Sequence, residues 1–244
     1  GIRSPGKYRA VLEAVARGNT STNDIAQAAG LQNQSMTARR ALETLEELDW
    51  VRRERNLDAG TRGTWRYRIA DNALRFWSRF VVRNRSRLET SPAESVWEES
   101  VEPRLDSYVG HVFEKACRQA LIRYASRWGL PSPDVSRWEG QDRNRRSVEI
   151  DLVSEFSDGS LLTGEVKWSS SPVDEGLHFD LVHDLESLAD SGREWANRAL
   201  DDETSRGHIY FSAAGFTEAF QARAADDESI RLVELRDMYP GHPG

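Results

Sequence analysis

Two neighbouring segments that alternate apolar and polar residues constrain the fold of this chain more than any other feature. They are Val148–Val153 and Leu161–Trp168, and the turn between them contains Ser157-Asp158-Gly159-Ser160. A period of two residues is typical of half-buried strands, and a polar turn with a glycine joins strands of this length into a hairpin. The sequence therefore predicts two paired strands in the middle of a sheet.

Acidic side chains and one lysine lie on the polar positions of these strands. Alternation places Glu149 with Asp151 on one face of the first strand, and Glu165 with Lys167 on one face of the second. If the two faces coincide, carboxylates meet between aliphatic residues. Carboxylates a few ångströms apart raise each other's pKa unless a cation lies between them. A divalent metal is the simplest such cation, so the pattern predicts a metal site.

An aspartate followed on the next strand by Glu-x-Lys is also a known catalytic motif. Asp151 with Glu165-Val166-Lys167 resembles the motif of the PD-(D/E)XK phosphodiesterase superfamily, the fold of many restriction endonucleases. Glu114 is the candidate for the further acid that this superfamily often carries on a preceding helix. Ile150 replaces the proline before Asp151, at a position that the superfamily keeps loosely. The resemblance implies a metal-dependent DNA endonuclease that hydrolyses phosphodiesters.

The same resemblance implies a role for each residue of the group. Asp151, one oxygen of Glu165 and the backbone carbonyl of Val166 would bind Mg²⁺ or Mn²⁺, with water and a substrate phosphate completing the shell. Glu114 would bind a second metal or hold water on the first. Lys167 would orient the attacking water or stabilise the transition state. The alternative is a buried salt bridge between Lys167 and Asp151, which would need no metal.

The composition is that of an ordinary soluble protein. The chain has 244 residues, 38% of them hydrophobic and 30% charged, which suffices for two modest cores. No apolar run is long enough to span a bilayer and no signal-peptide pattern opens the sequence, so we expect no membrane partner. Cys117 is the single cysteine, which excludes an internal disulfide and fits a reducing cytoplasm. We expect it to pack within a helix.

The charge of the chain is unevenly distributed. Residues 1–90 contain 17 Lys and Arg against 10 Asp and Glu, a net charge of +7, whereas residues 91–244 contain 16 against 30, a net charge of −14. The change falls near Asn84–Pro92, a polar stretch with a proline that is suited to a linker. We therefore predict one domain over residues 1–90 and a second over residues 91–244, and only the first should attract a polyanion.

The first of these domains is predicted to be a winged helix-turn-helix. Helical patterns at Tyr8–Arg17 and Asp24–Ala29 precede a third helix that ends near Asp49. Trp50–Arg55 and Thr64–Ile69 then have the composition of the two strands of a wing. Such a module inserts the start of its third helix into the major groove of DNA.

Polar and basic residues occupy the positions that would contact DNA in this arrangement. In the third helix and the wing they are Asn33, Gln34, Ser35, Thr37, Arg39, Arg40, Arg52, Arg53, Arg62 and Arg66. The residues at the start of the third helix have side chains of the types that bond base edges, and the wing arginines suit phosphates beside the groove. The alternative is a module that docks another protein, with its arginines only solvated.

A helix rich in aromatic residues follows the predicted wing. Asp71 is a natural N-cap, and Leu74, Trp77 and Val81 lie on a broad apolar face. Stripes of this kind are far more often core than a base-stacking site. We interpret this helix as a brace between the two domains.

Several segments together resemble the C-terminal half of a family of archaeal and bacterial AAA-type ATPases. They are Tyr67–Asp71, Arg75-Phe76-Trp77, Gly110-x-x-Phe113-Glu114 and Gly164-Glu165-Val166-Lys167-Trp168. In that family an ATPase module precedes a winged helix and a domain of uncharacterised function related to PD-(D/E)XK nucleases. The resemblance implies an ATPase partner in cis or in trans, although no phosphate-binding loop motif, and hence no nucleotide site, exists in this chain. The chain is then either part of a longer protein or a relative without a motor, and a homo-oligomer is left open.

The remaining elements of the C-terminal half are predicted in the order helix, three strands, helix, strand, helix, strand. This order matches the superfamily core. The expected fold class is therefore α+β and α/β, with an N-terminal winged helix-turn-helix followed by a restriction-endonuclease-like α/β domain that has a mixed central sheet. The basic turn Arg143–Arg146 could grip a phosphodiester backbone, although most charge runs are simply solvated.

Two other functions remain open on these grounds. A non-catalytic regulatory or docking module of an ATPase would keep the nuclease fold as a scaffold, and the net charge of −14 favours it. A transcription regulator would explain the winged helix but not Asp151, Glu165 and Lys167. The five histidines lack zinc-ligand spacing, and no serine or cysteine nucleophile motif appears. We therefore expect a DNA-binding protein with a metal-dependent phosphodiesterase domain.

Overall fold

Two compact units make up the chain in the computed structural model, which describes residues 5–31, 34–54 and 65–239. Both units combine helices with strands, so the mixed α and β character predicted from the sequence is confirmed. Within these ranges no helix combines the length and the apolar character that crossing a bilayer requires.

The division between the units falls after Tyr108, whereas the sequence predicted it after residue 90. Tyr108 belongs to the first unit because its ring lies 5.7 Å from the rings of Phe76 and Phe80. Its hydroxyl also donates to the carbonyl of Asn72 at 2.5 Å. The hydrogen bond joins residues that are 36 apart in sequence, so a local pattern could not predict it.

The first unit contains helices packed around one apolar cluster and a two-stranded antiparallel sheet. In chain order the elements are α1 (Pro5–Ala16), α2 (Thr22–Ala28), α3 (Ser35–Glu47), β1 (Val51–Glu54), β2 (Arg66–Ile69), α4 (Asn72–Phe76), α5 (Arg85–Thr90) and α6 (Ala93–Val96). The Ser21 hydroxyl caps α2 by accepting the Asp24 N–H at 3.1 Å. Leu42 and Leu45 of α3 are fully buried against α1 and α2.

The aromatic helix differs from its prediction in one respect. Asp71 caps α4 by accepting the Leu74 N–H at 2.6 Å, as expected. A π-helical turn, Trp77–Val81, then follows, and a wider turn of this kind rotates the side chains that come after it. Phe80 is buried but Trp77 is 49% exposed, so the prediction that Trp77 lies on the buried face is wrong.

The predicted linker at Asn84–Pro92 is also helical over most of its length, because it contains α5. An ion pair one helical turn apart, between Arg85 and Glu89 at 3.4 Å, lies along this helix. A polar composition was therefore not sufficient to identify a linker here.

The second unit is built on a five-stranded sheet with helices on both faces. The elements are α7 (Glu102–Tyr124), β3 (Asp134–Gln141), β4 (Ser147–Glu155), β5 (Leu161–Lys167), α8 (Gly176–Asp190), α9 (Glu194–Leu200), β6 (Ser205–Ser212), α10 (Glu218–Asp226) and β7 (Ile230–Glu234). Helix α7 begins in the first unit and continues into the second. The short helix α9 and a 3₁₀ turn at Leu235–Met238 have no counterpart in the predicted order.

The sheet is mixed, as predicted. Its strand order is β3-β4-β5-β6-β7, with antiparallel pairing from β3 to β5 and parallel pairing from β5 to β7. Helix α7 covers one face and packs on Leu152, Leu162 and Val166. Helices α8, α9 and α10 cover the other face and pack on Ile150 and Tyr210, among others. The central strands β4 and β5 are therefore enclosed on both sides, where charged side chains are costly.

Cys117 lies on the buried side of α7, as expected for a structural cysteine. Its sulfur is 3.9 Å from the sulfur of Met238, and burial raises the pKa of the thiol. The side chain is therefore a neutral part of the core.

Candidate functional site

The β4–β5 hairpin opens at the predicted acidic group. The antiparallel ladder ends where Leu152 pairs with Gly164. Asp151 and Glu165 come next on the two strands, and there the backbone pairing stops. Instead, the Val166 N–H donates to the Asp151 carboxylate at 3.0 Å. The two strands separate at this point, and a side chain takes the place of the next backbone bond.

A β-bulge in β4 lies at the same point. The register between β3 and β4 shifts by one residue, so that Asp151 and Leu152 together oppose Arg137. As a result, Ile150 and Val153 pack on the same side of the sheet although they are three residues apart. The alternation that predicted the faces of β4 is therefore interrupted at Asp151.

Asp151 and Glu165 meet in the gap between the strands rather than on one shared face. Leu162 and Val166 pack on the α7 side of the sheet, so alternation places Glu165 and Lys167 on the opposite side. The negative charge of Asp151 nevertheless raises the pKa of Glu165, so the two carboxyl groups lie near each other. The predicted residues come together, although the geometry differs from the one expected.

Glu165 is the buried member of this carboxyl pair, with 9% of its surface exposed. Burial, and after it the negative charge of Asp151, raise the pKa of Glu165 well above its usual value, and the nearby Lys167 ammonium opposes this only in part. The pair therefore holds a proton more readily than two separate carboxyl groups. A bound cation would reverse this preference.

We expect Glu165→Gln to stabilise the metal-free protein at neutral and higher pH. Because folding raises the pKa of Glu165, its stabilising contribution is present at low pH and is lost as the pH rises through the folded value. Glutamine avoids the buried charge at every pH, so the gain in Tm should grow between about pH 4 and about pH 8. Each kcal/mol corresponds to a shift of roughly 2–4 °C in a chain of this size.

Differential scanning calorimetry with a chelator present measures this difference across the pH range. A Tm difference that is the same at both ends of the range would contradict the raised pKa of Glu165.

Helix α7 brings an acid and an arginine to the neighbourhood of Asp151. Burial, and then the charge of Asp151, raise the pKa of Glu114. Arg118 lies 3.9 Å from the Glu114 carboxylate and donates through Nη1 to the backbone carbonyl of Asp151 at 3.2 Å. Glu114 is thus placed where its charge interacts with the predicted group. The sequence analysis missed Arg118, which its position one turn after Glu114 could have revealed.

The second acid of β4 does not join the group. Glu149 forms an ion pair with Arg137 at 2.5 Å, and its side chain is about half exposed. Arg137 also contacts Glu139. Glu149 is therefore paired with Arg137 on the side of β4 that faces β3, although its charge still contributes to raising the pKa of Glu114.

The available oxygens suit a hard divalent cation such as Mg²⁺. In the part of the chain that the structure describes, no three His, Cys, Asp or Glu side chains are grouped to hold a metal on their own. The group consists instead of the Asp151 and Glu165 carboxylates beside the Val166 backbone. In a strand the N–H and C=O of one residue point the same way, so the Val166 carbonyl also faces β4. Mg²⁺ is usually held by one or two carboxylates with waters and substrate phosphates, and these residues fit that pattern.

Lys167 is exposed at the end of β5. Its ammonium forms no salt bridge with any of the residues that the structure describes, and the Asp151 carboxylate bonds to the Val166 N–H instead. The alternative of a sealed Lys167–Asp151 salt bridge is therefore wrong. The ammonium is available to a ligand.

Strand β6 adds polar residues on the side of the sheet that carries Glu165 and Lys167. The parallel register pairs Thr163 with His208, Glu165 with Tyr210 and Lys167 with Ser212. All three β6 side chains are buried. The sequence analysis did not single them out, although the alternation His208-x-Tyr210-x-Ser212 within a predicted strand was the available signal.

The polar residues on this side of β5 and β6 form a polar row, and two histidines are hydrogen-bonded within it. His208 Nδ1 and the Thr163 hydroxyl are 2.7 Å apart, and His178 Nδ1 of α8 and the Tyr210 hydroxyl are 2.8 Å apart. Burial lowers the pKa of His208 to about 4 and also lowers the pKa of His178. Both imidazoles are therefore neutral near pH 7, and each has one N–H to donate.

The residues predicted to contact DNA lie on α3 and on the two strands of the first unit. Gln34, Ser35, Arg39, Arg40 and Arg53 are exposed, and Thr37, Arg52 and Arg66 are partly buried. Asn33 and Arg62 lie outside the described residues. The structure thus presents an exposed polar surface at the start of α3.

Several of these arginines already have acidic partners. Arg39 pairs with Glu43 at 3.1 Å, and Arg52 pairs with Glu54 at 2.8 Å. Arg53 pairs with Glu46 at 3.0 Å and lies over the Trp65 ring. Exposed pairs of this kind are weak and can exchange for phosphate contacts.

The basic turn between β3 and β4 is held by acids of its own unit. Arg146 contacts Asp142 at 3.2 Å and Asp184 at 2.6 Å, and Arg143 contacts Asp190 at 3.3 Å. These pairs give the turn a structural role. They weaken the interpretation that it grips a phosphodiester backbone.

Comparison with known proteins gives a family match and a distant relative. Residues 77–178 match DUF234, a family of archaeal and bacterial proteins of unknown function. An uncharacterised protein of Methanocaldococcus jannaschii is 30% identical over 172 residues, which cover 68% of this chain and 37% of the relative. The chain thus spans little more than a third of that relative's length.

One solved structure is also similar in part. It is a repair endonuclease from Pyrococcus abyssi, with 15% sequence identity and a TM-score of 0.34, over 50% of this chain and 46% of the other. A TM-score of this size does not establish a shared fold.

Proposed function

We propose that the second unit is a metal-dependent phosphodiesterase that acts on nucleic acid. The observation that carries this proposal is the meeting of Asp151 and buried Glu165 at the point where β4 and β5 separate. A scaffold gains nothing from such a pair, because two carboxyl groups in a partly enclosed gap oppose each other's ionisation. The resemblance of Asp151 and Glu165-Val166-Lys167 to the PD-(D/E)XK motif, with its restriction-endonuclease-like fold, supports the same proposal.

The roles of the residues follow from their positions. Asp151 and Glu165 would hold Mg²⁺ or Mn²⁺ with the Val166 carbonyl, and the metal would lower the pKa of a bound water and withdraw charge from the phosphate. Lys167, which is exposed at the end of β5 and whose charge acts on Glu165, would hold a phosphate oxygen or the attacking water. Glu114 would hold further water from the α7 side.

We infer that the first unit is a winged helix-turn-helix that supplies the contact with DNA. The support is the exposed polar start of α3, with Gln34, Ser35 and Arg40, followed by the antiparallel pair β1 and β2 in the position of a wing. The net charge of +7 over residues 1–90 favours a polyanion. A cytoplasmic location and an AAA-type ATPase partner, in cis or in trans, belong to the same proposal and are supported by the sequence patterns alone.

Titration with Mn²⁺ tests the metal site directly. We expect the parent protein to give binding heat in an isothermal calorimeter, and Asp151→Asn or Glu165→Gln to remove it, because each substitution removes one of the two charged oxygen donors. Glu149→Gln is the matched control, because it also removes one carboxylate from β4 but at a residue paired with Arg137. It should bind Mn²⁺ as the parent does.

No heat with the parent protein would overturn the phosphodiesterase proposal. That result would favour the second candidate, a non-catalytic docking module, to which the net charge of −14 over residues 91–244 also points.

A further inference from the structure

The polar row on β5 and β6 contains one residue that lies directly beside the buried acid of the site. The parallel register places Tyr210 next to Glu165, and alternation places both on the side of the sheet covered by α8. Both are buried, and the charge of Glu165 contributes to raising the pKa of Tyr210. The two residues are thus neighbours on adjacent strands, on one buried face of the sheet.

The position of the Tyr210 ring is fixed from several directions. Its centroid lies 5.3 Å from that of Phe220 and 5.9 Å from that of His178. The hydroxyl is held at 2.8 Å from His178 Nδ1. A side chain held this tightly places its hydroxyl in one location, which a mobile surface tyrosine would not do.

The hydrogen bond between His178 and Tyr210 leaves a donor that suits a carboxylate neighbour. A neutral imidazole with its proton on Nδ1 donates to the phenol oxygen, and the phenol proton is then left to donate to another acceptor. The Glu165 carboxylate, which the register places beside Tyr210 on the neighbouring strand, would be that acceptor. Helix α8 would then act on the site through His178 and Tyr210.

We propose that Tyr210, oriented by His178, is a positioning residue that holds the Glu165 carboxylate in its metal-binding orientation. This inference rests on the proposed metal site. Residues that hydrogen-bond to a metal ligand and orient it commonly support the metal affinity, which falls by about 10–100-fold when they are removed. Neither residue belongs to the Asp and Glu-x-Lys motif from which the site was predicted.

The test measures Mn²⁺ affinity by isothermal titration calorimetry and metal-free Tm by differential scanning calorimetry for the same variants. Tyr210→Phe keeps the ring that packs on Phe220 and removes only the hydroxyl. We expect it to weaken Mn²⁺ binding by about 10–100-fold. His178→Leu should weaken binding in the same way, and His178→Asn should restore it, because the asparagine amide can lie where Nδ1 lies and donate the same bond.

Thr163→Val is the matched control for a general destabilisation of the side of the sheet that carries Tyr210 and Glu165. It removes the bond between Thr163 and His208, one row deeper in the sheet, and does not touch Tyr210. We expect it to lower the metal-free Tm and to leave the Mn²⁺ affinity at the parent value. An equal loss of affinity in Thr163→Val would show that the effect is structural and would overturn the proposal.

The outcomes separate this inference from the function on which it rests. Parent affinity retained in Tyr210→Phe would overturn the positioning role and leave the metal site in place. No Mn²⁺ binding by the parent protein would overturn both.

Discussion

Lys167→Met is expected to slow metal-dependent cleavage of plasmid DNA by about 10²–10³-fold, the usual effect of removing one group that stabilises a transition state. The ammonium of Lys167 is exposed at the end of β5 and near Glu165, so its charge would act on the phosphate as negative charge develops there. Methionine preserves the length of the side chain and removes the charge. Mn²⁺ affinity should remain, because Lys167 is not one of the oxygen donors.

Arg40→Ala serves as the matched control, because it should weaken DNA binding and leave the cleavage rate unchanged. Arg40 is exposed on α3 in the first unit, so its loss should weaken binding of a labelled duplex and reduce the salt dependence of that binding. Cleavage of DNA at saturating protein concentration should be unchanged. Fluorescence anisotropy and a nicking assay on both variants give the comparison.

A Lys167→Met protein that nicks plasmid at the parent rate would remove the lysine from the mechanism. Equal weakening of DNA binding in both variants would show that the two sets of residues do not have separate roles.

Gly164→Ala is expected to destabilise the second unit by about 3 kcal/mol or more, at the upper end of the cost of adding a methyl group to a packed interior. A Cβ at Gly164 would lie 2.0 Å from the backbone carbonyl oxygen of Ile209 on β6. A backbone atom in a parallel sheet cannot turn aside as a flexible side chain can. Strand β5 would have to move away from β6, and Glu165 is the next residue on the moving strand.

Thermal unfolding of the metal-free variant measures this effect, with Gly110→Ala as the matched control. Gly110 lies within helix α7, and its added Cβ would meet only the Trp168 Cβ at an ordinary 3.7 Å. Alanine is favoured over glycine in a helix by about 1 kcal/mol, so this variant should be at least as stable as the parent. A Gly164→Ala protein that unfolds at the parent Tm would contradict the close packing of β5 on β6.

The sequence predicted those parts of the fold that depend on local periodicity. Helix α8 (Gly176–Asp190) and strand β7 (Ile230–Glu234) occupy their predicted places in the order of elements. The hairpin of β4 and β5 was also predicted, because a strict alternation around a glycine turn has few other solutions. In each case the information lies within one window of sequence.

Features that depend on contacts between distant segments could not be predicted in this way. The β-bulge at Asp151 arises from the pairing of β4 with β3 and leaves no mark in the sequence of β4 alone. Tyr210 and His178 are 32 residues apart and meet only through the packing of α8 on the sheet. The π-helical turn that begins at Trp77 is likewise not anticipated by helical periodicity.

The candidate site shows the same division. The motif identified Asp151, Glu165 and Lys167, because the order of residue types is itself the signal. It did not identify Arg118 or Tyr210, whose importance comes from the atoms they contact. Sequence patterns find the groups that would perform the chemistry more readily than the groups that hold them in place.

The bond from the Val166 amide to the Asp151 carboxylate gives the protein an intrinsic reporter. The resonance frequency of an amide proton depends strongly on the charge of the oxygen that accepts it. Engagement of that carboxylate by a cation would therefore appear as a displaced peak for one backbone position in the spectrum of an isotope-labelled sample. The chemistry in this gap could then be followed without any dye, substrate or substitution.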